Sequence, residues 1–349
     1  MSESVVPQRP LSDRPLSADE ALPPVQPPSA GFIIQLFVIP GIIVFIIVMV
    51  WLMFNWLAQK GNDPSAYIRD LSGNNANRWQ AAVNLTNALR GDRDQGPKSL
   101  KNNTQLAGQL VGILESETKA GSMAEDSIRL RVFLCSALGE FGVNTGLPVL
   151  LKAAETQREP AENEVRRAAL QSIALLAEFA PQPDAELEPR RREVLLAASH
   201  DSDNQVRSTA AFALGIVKGD EMLVRLREML TDPYPDARFN AATGLARHGD
   251  AACAEVLCEM LDPDETAGMK IEEEPAARDY KRAMIIINGL RAGRQLVVKN
   301  AGADPQAVDA IKAAAMRLQA SPLGKSLRAD QVGIELAELL DELKSQPVK

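Results

Sequence analysis

Six arginines recur in one local setting: Arg78, Arg131, Arg166, Arg207, Arg238 and Arg282, at a mean interval of about 41 residues. A guanidinium carries five N–H donors in a planar fork, so a row of them could form a ladder for phosphate or carboxylate ligands. The structural alternative pairs each fork with acids or carbonyls at a turn, Arg207 near Asp201 or Asp203 and Arg238 near Asp232 or Asp236. A fixed place in every copy is what architecture demands, whereas a site should break the symmetry, so these are expected to be structural repeat arginines. Other reactive groups are few. Two histidines cannot build a multi-histidine metal site, and His200 and His248 both fall at turns, where solvated or capping roles suit them. Three cysteines cannot form a disulfide framework. Cys135 occupies a small-residue slot, and Cys253 and Cys258 lack the spacing of a metal knuckle. No nucleophile elbow, phosphate loop or dinucleotide fingerprint is present. The chain is therefore expected not to be an enzyme, with no catalytic, cofactor-binding or metal-binding residue assigned.

The elements that must position the arginines are helices in tandem. Val206-Arg207-x-x-Ala210-Ala211-x-x-Leu214 recurs 31 positions later as Ala237-Arg238-x-x-Ala241-Ala242-x-x-Leu245, and Glu228-Met229-Leu230 recurs as Glu259-Met260-Leu261. Val165-Arg166, Leu130-Arg131 and Arg78 fit the same frame, and Arg282 fits it more loosely. Val206, Ala210, Ala213, Leu214 and Val217 follow the periodicity of one buried helical face. Lys218-Gly219-Asp220 then breaks the helix, with glycine free to turn and Asp220 placed to cap the next. Met222, Leu223, Leu226, Met229 and Leu230 form a second stripe, and Asp232-Pro233-Tyr234-Pro235-Asp236 turns the chain into the next unit. Alanines at 210/211 and 241/242 let neighbouring helices approach closely. One such pair cannot bury both faces, but stacked copies can.

This pattern resembles HEAT-like repeats of the type also seen in phycobilin lyases. The resemblance rests on the Val/Ala-Arg step, the acid before it, the Ala-Ala pair and the Gly-Asp turn, and it covers roughly residues 64–295. It implies an all-α fold, an α-solenoid of HEAT-like helix pairs whose second helices line a concave, protein-binding surface. On that surface Arg225, Glu228, Glu255 and Glu259 are candidate partner-binding residues. Iron-binding HEAT-like hydroxylases carry several His-Glu pairs, which this chain lacks, and nothing identifies a bilin pocket. Two stretches, 91–104 and 262–280, interrupt the frame as inserted loops.

Ahead of the repeats lies a different kind of chain. Residues 1–31 are rich in proline and polar residues and are expected to be a disordered tail. Residues 32–58 form an expected transmembrane helix: for 19 positions from Leu36 to Phe54 no charged or strongly polar residue occurs, close to the ~20 needed to cross a bilayer. Trp51 and Trp56 are placed for the membrane interface, and Pro40-Gly41 should kink the helix or mark its true start. The long mixed-charge segment before it and the poor cleavage site after it indicate an uncleaved, single-pass anchor rather than a signal peptide. Lys60, Arg69 and Arg78 follow the span, against Arg14 and the more distant Arg9 before it, which favours a cytoplasmic solenoid. Only the short stretch from Gln59 to Asp63 links span and repeats, which should hold the solenoid, residues 64–300, close to the membrane. Helices in 301–349 should cap its open end.

With 349 residues, 46% hydrophobic, only 4% aromatic and a net charge of −8, the composition suits closely packed helices and disfavours nucleic acid as a partner. The expected function is a membrane-anchored HEAT-repeat scaffold or adaptor for a protein partner, such as an accessory subunit of a membrane complex, without cofactor. Two alternatives stay open. One is a lyase-like enzyme acting on a bound cofactor or pigment. The other is a lipid-surface binding module using two basic clusters, Arg190-Arg191-Arg192 and Arg291, Arg294 and Lys299.

Overall fold

The computed structural model describes residues 29–60, 64–73, 78–92, 96, 99–180, 185–217, 219–269, 272–300, 303–323 and 331–345. The proline-rich segment up to residue 28 lies outside the described residues. The chain divides into two compact units, residues 1–62 and 63–349, and among the described residues every regular element is helical.

In the first unit Ser29 caps α1 (Ala30–Ile33) by accepting the Phe32 N–H at 3.2 Å. Helical backbone therefore begins inside the expected tail. A π-helical turn over Ile34–Val38 joins α1 to α2 (Ile39–Lys60). Pro40 has no N–H, and its ring crowds the carbonyl four residues back, at Leu36. A widened turn at this place accommodates both defects. Pro40-Gly41 thus lies within continuous helical backbone and does not mark the helix start. Ala30–Phe54, 25 residues, is long and apolar enough to cross a membrane. Its large apolar side chains, Trp51 among them, are exposed, and Trp56 follows in α2.

The second unit is a two-row array. Its elements are α3 (Pro64–Ser72), α4 (Arg78–Gly91), α5 (Thr104–Ala120), α6 (Glu125–Gly139), α7 (Leu147–Glu155) and α8 (Glu162–Phe179). They continue with α9 (Glu188–Ala198), α10 (Asn204–Ile216), α11 (Asp220–Met229), α12 (Pro235–Arg247), α13 (Ala254–Leu261) and α14 (Pro275–Asn300). Helices α4, α6, α8, α10, α12 and α14 pack in sequence as the first row. In the second row α3, α5, α7, α9 and α11 pack in succession, as do α13 and α15 (Pro305–Ala320). All five stripe residues of α10 are buried, as are Met222, Leu226 and Met229 of α11. One leucine- and alanine-rich core runs the length of the array.

Local details explain the breaks. Asp203 caps α10 by accepting the Gln205 and Val206 N–H groups, both at 2.9 Å. Gly219 has φ 155° and is itself the cap residue of α11, so Asp220 is the first helical residue rather than the cap. There it joins Glu221 in favouring the positive end of the helix dipole. First-row helices also approach closely at glycines. A Cβ built on Gly215 would lie 2.6 Å from the Gly244 Cα.

At the far end Asp304 caps α15, accepting the Ala307 N–H at 3.0 Å. Helix α16 (Gln331–Ser345) packs on α14 and α15 and buries Val332, Leu336, Leu339 and Leu343. Ile334 on the same helix is exposed.

Candidate interaction surface and the arginine row

All six repeat arginines are on first-row helices, Arg78, Arg166, Arg207 and Arg238 among the first five residues and Arg131 and Arg282 at the seventh and eighth. Five of them close the same circuit. Each donates to a carbonyl at the end of the preceding helix or in the turn after it, and to a carboxylate supplied from further along the chain. Arg78 donates to Leu71 O at 2.6 Å and to Glu117 at 2.7 Å. Arg131 donates to Ser122 O at 2.7 Å and to Glu162. Arg166 reaches Ala154 O at 3.0 Å and Asp201 at 2.5 Å. Arg207 holds Asp201 O at 3.0 Å and grips Asp232 with two bonds of 2.8 and 3.0 Å. Arg238 takes Asp232 O at 2.9 Å and Glu259 at 2.5 Å.

The expected contacts with Asp201 and Asp232 are present as carbonyl bonds, and each arginine adds a carboxylate from further along the chain. Arg207 meets Asp201 only through its backbone, and its carboxylate partner is Asp232, one turn later. Arg238 likewise uses the Asp232 carbonyl, while its carboxylate partner is Glu259 on α13. Arg282 departs from the rest: it has no hydrogen-bond or ion-pair partner among the described residues, and its Nε is buried. The preceding turn is displaced by the insert, where Asp262 and Asp264 pair with Arg317 instead. The following turn offers Ser321-Pro322 where other units carry an acid.

The circuit has a pH signature. Burial alone raises the carboxyls of Asp201 and Asp232, but the Arg166 and Arg207 guanidiniums, with the Asp203 and Tyr234 N–H groups, outweigh it and hold both below the ordinary value of 3.8. A depressed native pKa contributes stability above the unfolded value, and that contribution disappears as pH falls through the native value. Urea unfolding followed from pH 7 to pH 2.5 should therefore show this contribution intact above about pH 4.5 and falling below it. A D201N/D232N variant should start less stable at pH 7 and lose less on acidification; parallel curves for both proteins would contradict the assignment.

Residues 192–272 match the family model described as HEAT repeats. That stretch runs from within α9 to the insert after α13, the part of the array where the 31-residue interval is clearest. No curated protein matches the chain. Among solved structures, a designed armadillo repeat protein is 16% identical, with 80% of this chain and 100% of that one covered, at a TM-score of 0.36. The Escherichia coli protein YibA is 17% identical, with 84% and 96% covered, at a TM-score of 0.32.

The four candidate partner residues are on second-row helices, Arg225 and Glu228 on α11, Glu255 and Glu259 on α13. They are not equally available. Arg225 donates to both Ser199 O and Ser199 Oγ at 2.8 Å, tying α11 to the end of α9, and its side chain is only 16% exposed. Glu259 is engaged by Arg238. Glu228, whose side chain is 56% exposed, pairs with Arg225 at 2.8 Å on its own helix, and Glu255 is exposed with no ion-pair partner among the described residues. The sequence pattern placed all four on one helix face but could not show which were already engaged from neighbouring repeats.

The two basic clusters are largely neutralised. Arg190 pairs with Glu155 and Glu193, Arg191 with Glu188, and Arg192 with Glu188 and Glu221. Arg291 and Arg294 pair with Glu335 and Glu338 on α16, and Lys299 donates to Arg247 O. Burial pushes the Cys135 and Cys253 thiols up to about 12, far from the thiolate that nucleophilic or metal chemistry needs. His248 has its Nε2 3.2 Å from Gly215 O, and His200 is exposed. Among the described residues no group of His, Cys, Asp and Glu is arranged to hold a metal ion.

Proposed function

We propose that the chain is a membrane-anchored HEAT-repeat scaffold, whose array recruits a soluble partner or braces a membrane complex as an accessory subunit. The observation that carries this reading is Ala30–Phe54, a 25-residue apolar helix, whose exposed side chains from Leu36 to Phe54 would form a continuous apolar surface in water. A bilayer covers such a surface, and a helix can sit there because it pairs its own backbone groups internally. The array supports the second half of the reading, since stacked helix pairs give an extended surface suited to other proteins. The excess of Lys60, Arg69 and Arg78 over Arg14 favours placing it in the cytoplasm.

The test is purification of the full-length protein from crosslinked membranes, with mass spectrometry of what accompanies it. Recovery of a defined set of membrane proteins, reduced by E228K/E255K, is the expected outcome. A chain released from membranes by alkaline carbonate would overturn the anchor, and one recovered alone after crosslinking would overturn the scaffold.

A further inference from the structure

Second-row helices α5 and α7 leave a groove between them of about 580 Å³, with Gly112 and Thr118 on one wall and Lys152 on the other. Three cations line it, Lys119, Lys152 and Arg158, against one acid, Glu115. Arg158 is held in place, donating to Thr118 O at 2.6 Å and lying 3.8 Å from Glu162. Lys119 and Lys152 are exposed and have no carboxylate partner among the described residues. In a chain of net charge −8, these two lysines face one groove without an acid of their own.

Two further features point to a ligand. Thr118 is 6% exposed and lines the groove, yet its Oγ1 has no hydrogen-bond partner. A buried hydroxyl without a partner costs about 1–3 kcal/mol, a cost an incoming polar group would relieve. On α5, Gly108 and Gly112 face open space, with no atom within 4 Å of a built Cβ. Gly112 also borders a second groove of about 370 Å³ towards α3, where Ile68 and Ile113 supply apolar lining. The two grooves meet over a helix face with no side chain at Gly112, which a polypeptide backbone can approach closely.

We infer that this surface docks an acidic segment of the partner protein, its carboxylates on Lys119 and Lys152 and its apolar side chains towards Ile68 and Ile113. The inference rests on the scaffold reading and adds the chemistry of the partner to it. A continuous peptide suits the feature better than a lipid headgroup, because the basic groove runs on past Gly112 and Ser116 into a second groove of mixed lining, where Ile68 and Ile113 stand beside Ser72 and Gln109. Charge complementarity of this kind sets specificity and makes binding salt-dependent.

A random twelve-residue peptide library, panned on the full-length protein in phosphatidylcholine nanodiscs, tests it. Enrichment of Asp- and Glu-rich sequences is expected, with selected peptides binding at least tenfold more weakly to K119E/K152E. G112W, which fills the groove without meeting a neighbouring atom at its Cβ, should weaken them as much, and K312E should not. Absence of acidic enrichment, or binders indifferent to K119E/K152E and G112W, would overturn the inference while leaving the crosslinked complex as the separate test of the scaffold. Phosphatidylserine vesicles that bind through the same lysines and displace the peptides would also overturn it, assigning the groove to a lipid surface.

Discussion

Replacing Glu162 by alanine is expected to lower the unfolding free energy by about 3–5 kcal/mol, the usual cost of stranding one member of a buried ion pair. Glu162 and Arg131 are both 0% exposed in their side chains and bonded to one another. Without the carboxylate, the guanidinium keeps its bond to Ser122 O but retains a full charge that neither solvent nor a second acid neutralises. The reverse substitution, R131A, leaves the carboxylate with Arg158 at 3.8 Å as its remaining cation and should cost less than E162A. The pair is itself imperfect, since the second Glu162 oxygen has no partner. A double R131M/E162M variant should therefore recover most of the loss, because apolar replacement of a buried pair is often neutral or better. Urea denaturation of the three variants decides the matter. A single-variant loss below about 1 kcal/mol, the range of exposed pairs, would mean that water reaches this pair in solution.

A single methyl group at Gly244 is expected to destabilise the array by about 1–3 kcal/mol, the cost of overpacking a filled interior. Its Cβ would lie 2.8 Å from the Gly215 Cα and 3.1 Å from Leu226 Cδ1. The first neighbour is backbone and cannot rotate aside, so α10 and α12 would have to separate. Alanine is intrinsically the better helix former by about 1 kcal/mol, so the expected sign runs against helix propensity. Gly108 on the open face of α5 supplies the control. G108A meets no neighbouring atom within 4 Å and should stabilise by about 0.4–1 kcal/mol. Opposite shifts in thermal midpoint for the two variants are the expected result, and a stabilising G244A would show that the two helices are not closely packed there.

These two sites differ in how far the sequence reveals them. The arginine interval, the Ala-Ala pairs and the stripe from Val206 to Val217 are legible because burial imposes a helical period on residue type. The Gly215–Gly244 contact is not, because the two glycines are 29 positions apart in a frame of 31. Contact across a row joins positions that the repeat does not align. The arginines' carbonyl partners are equally silent, since a backbone oxygen leaves no mark on residue type. Arg225 illustrates the same gap on the candidate surface. Its position on α11 places it outward, but its guanidinium folds onto Ser199, 26 residues earlier. Lys119 and Lys152 escape notice for a related reason: no motif joins them, and only the packing of α5 beside α7 makes them neighbours.

The circuit of Arg207 fixes where one repeat ends and the next begins. Its guanidinium takes the carbonyl of Asp201 from the turn before and the carboxylate of Asp232 from the turn after. The Asp232 carbonyl in turn serves Arg238. A cassette cut after Asp201 and after Asp232 therefore carries one arginine, its own acid and the carbonyl that its successor needs. Duplicated in tandem, residues 202–232 would regenerate this arginine's carbonyl and carboxylate bonds at the one new junction. The natural seam of this array runs through the aspartates of its turns, and the change a copied unit would call for is at Leu230, which takes the place of Ser199 opposite the copied Arg225.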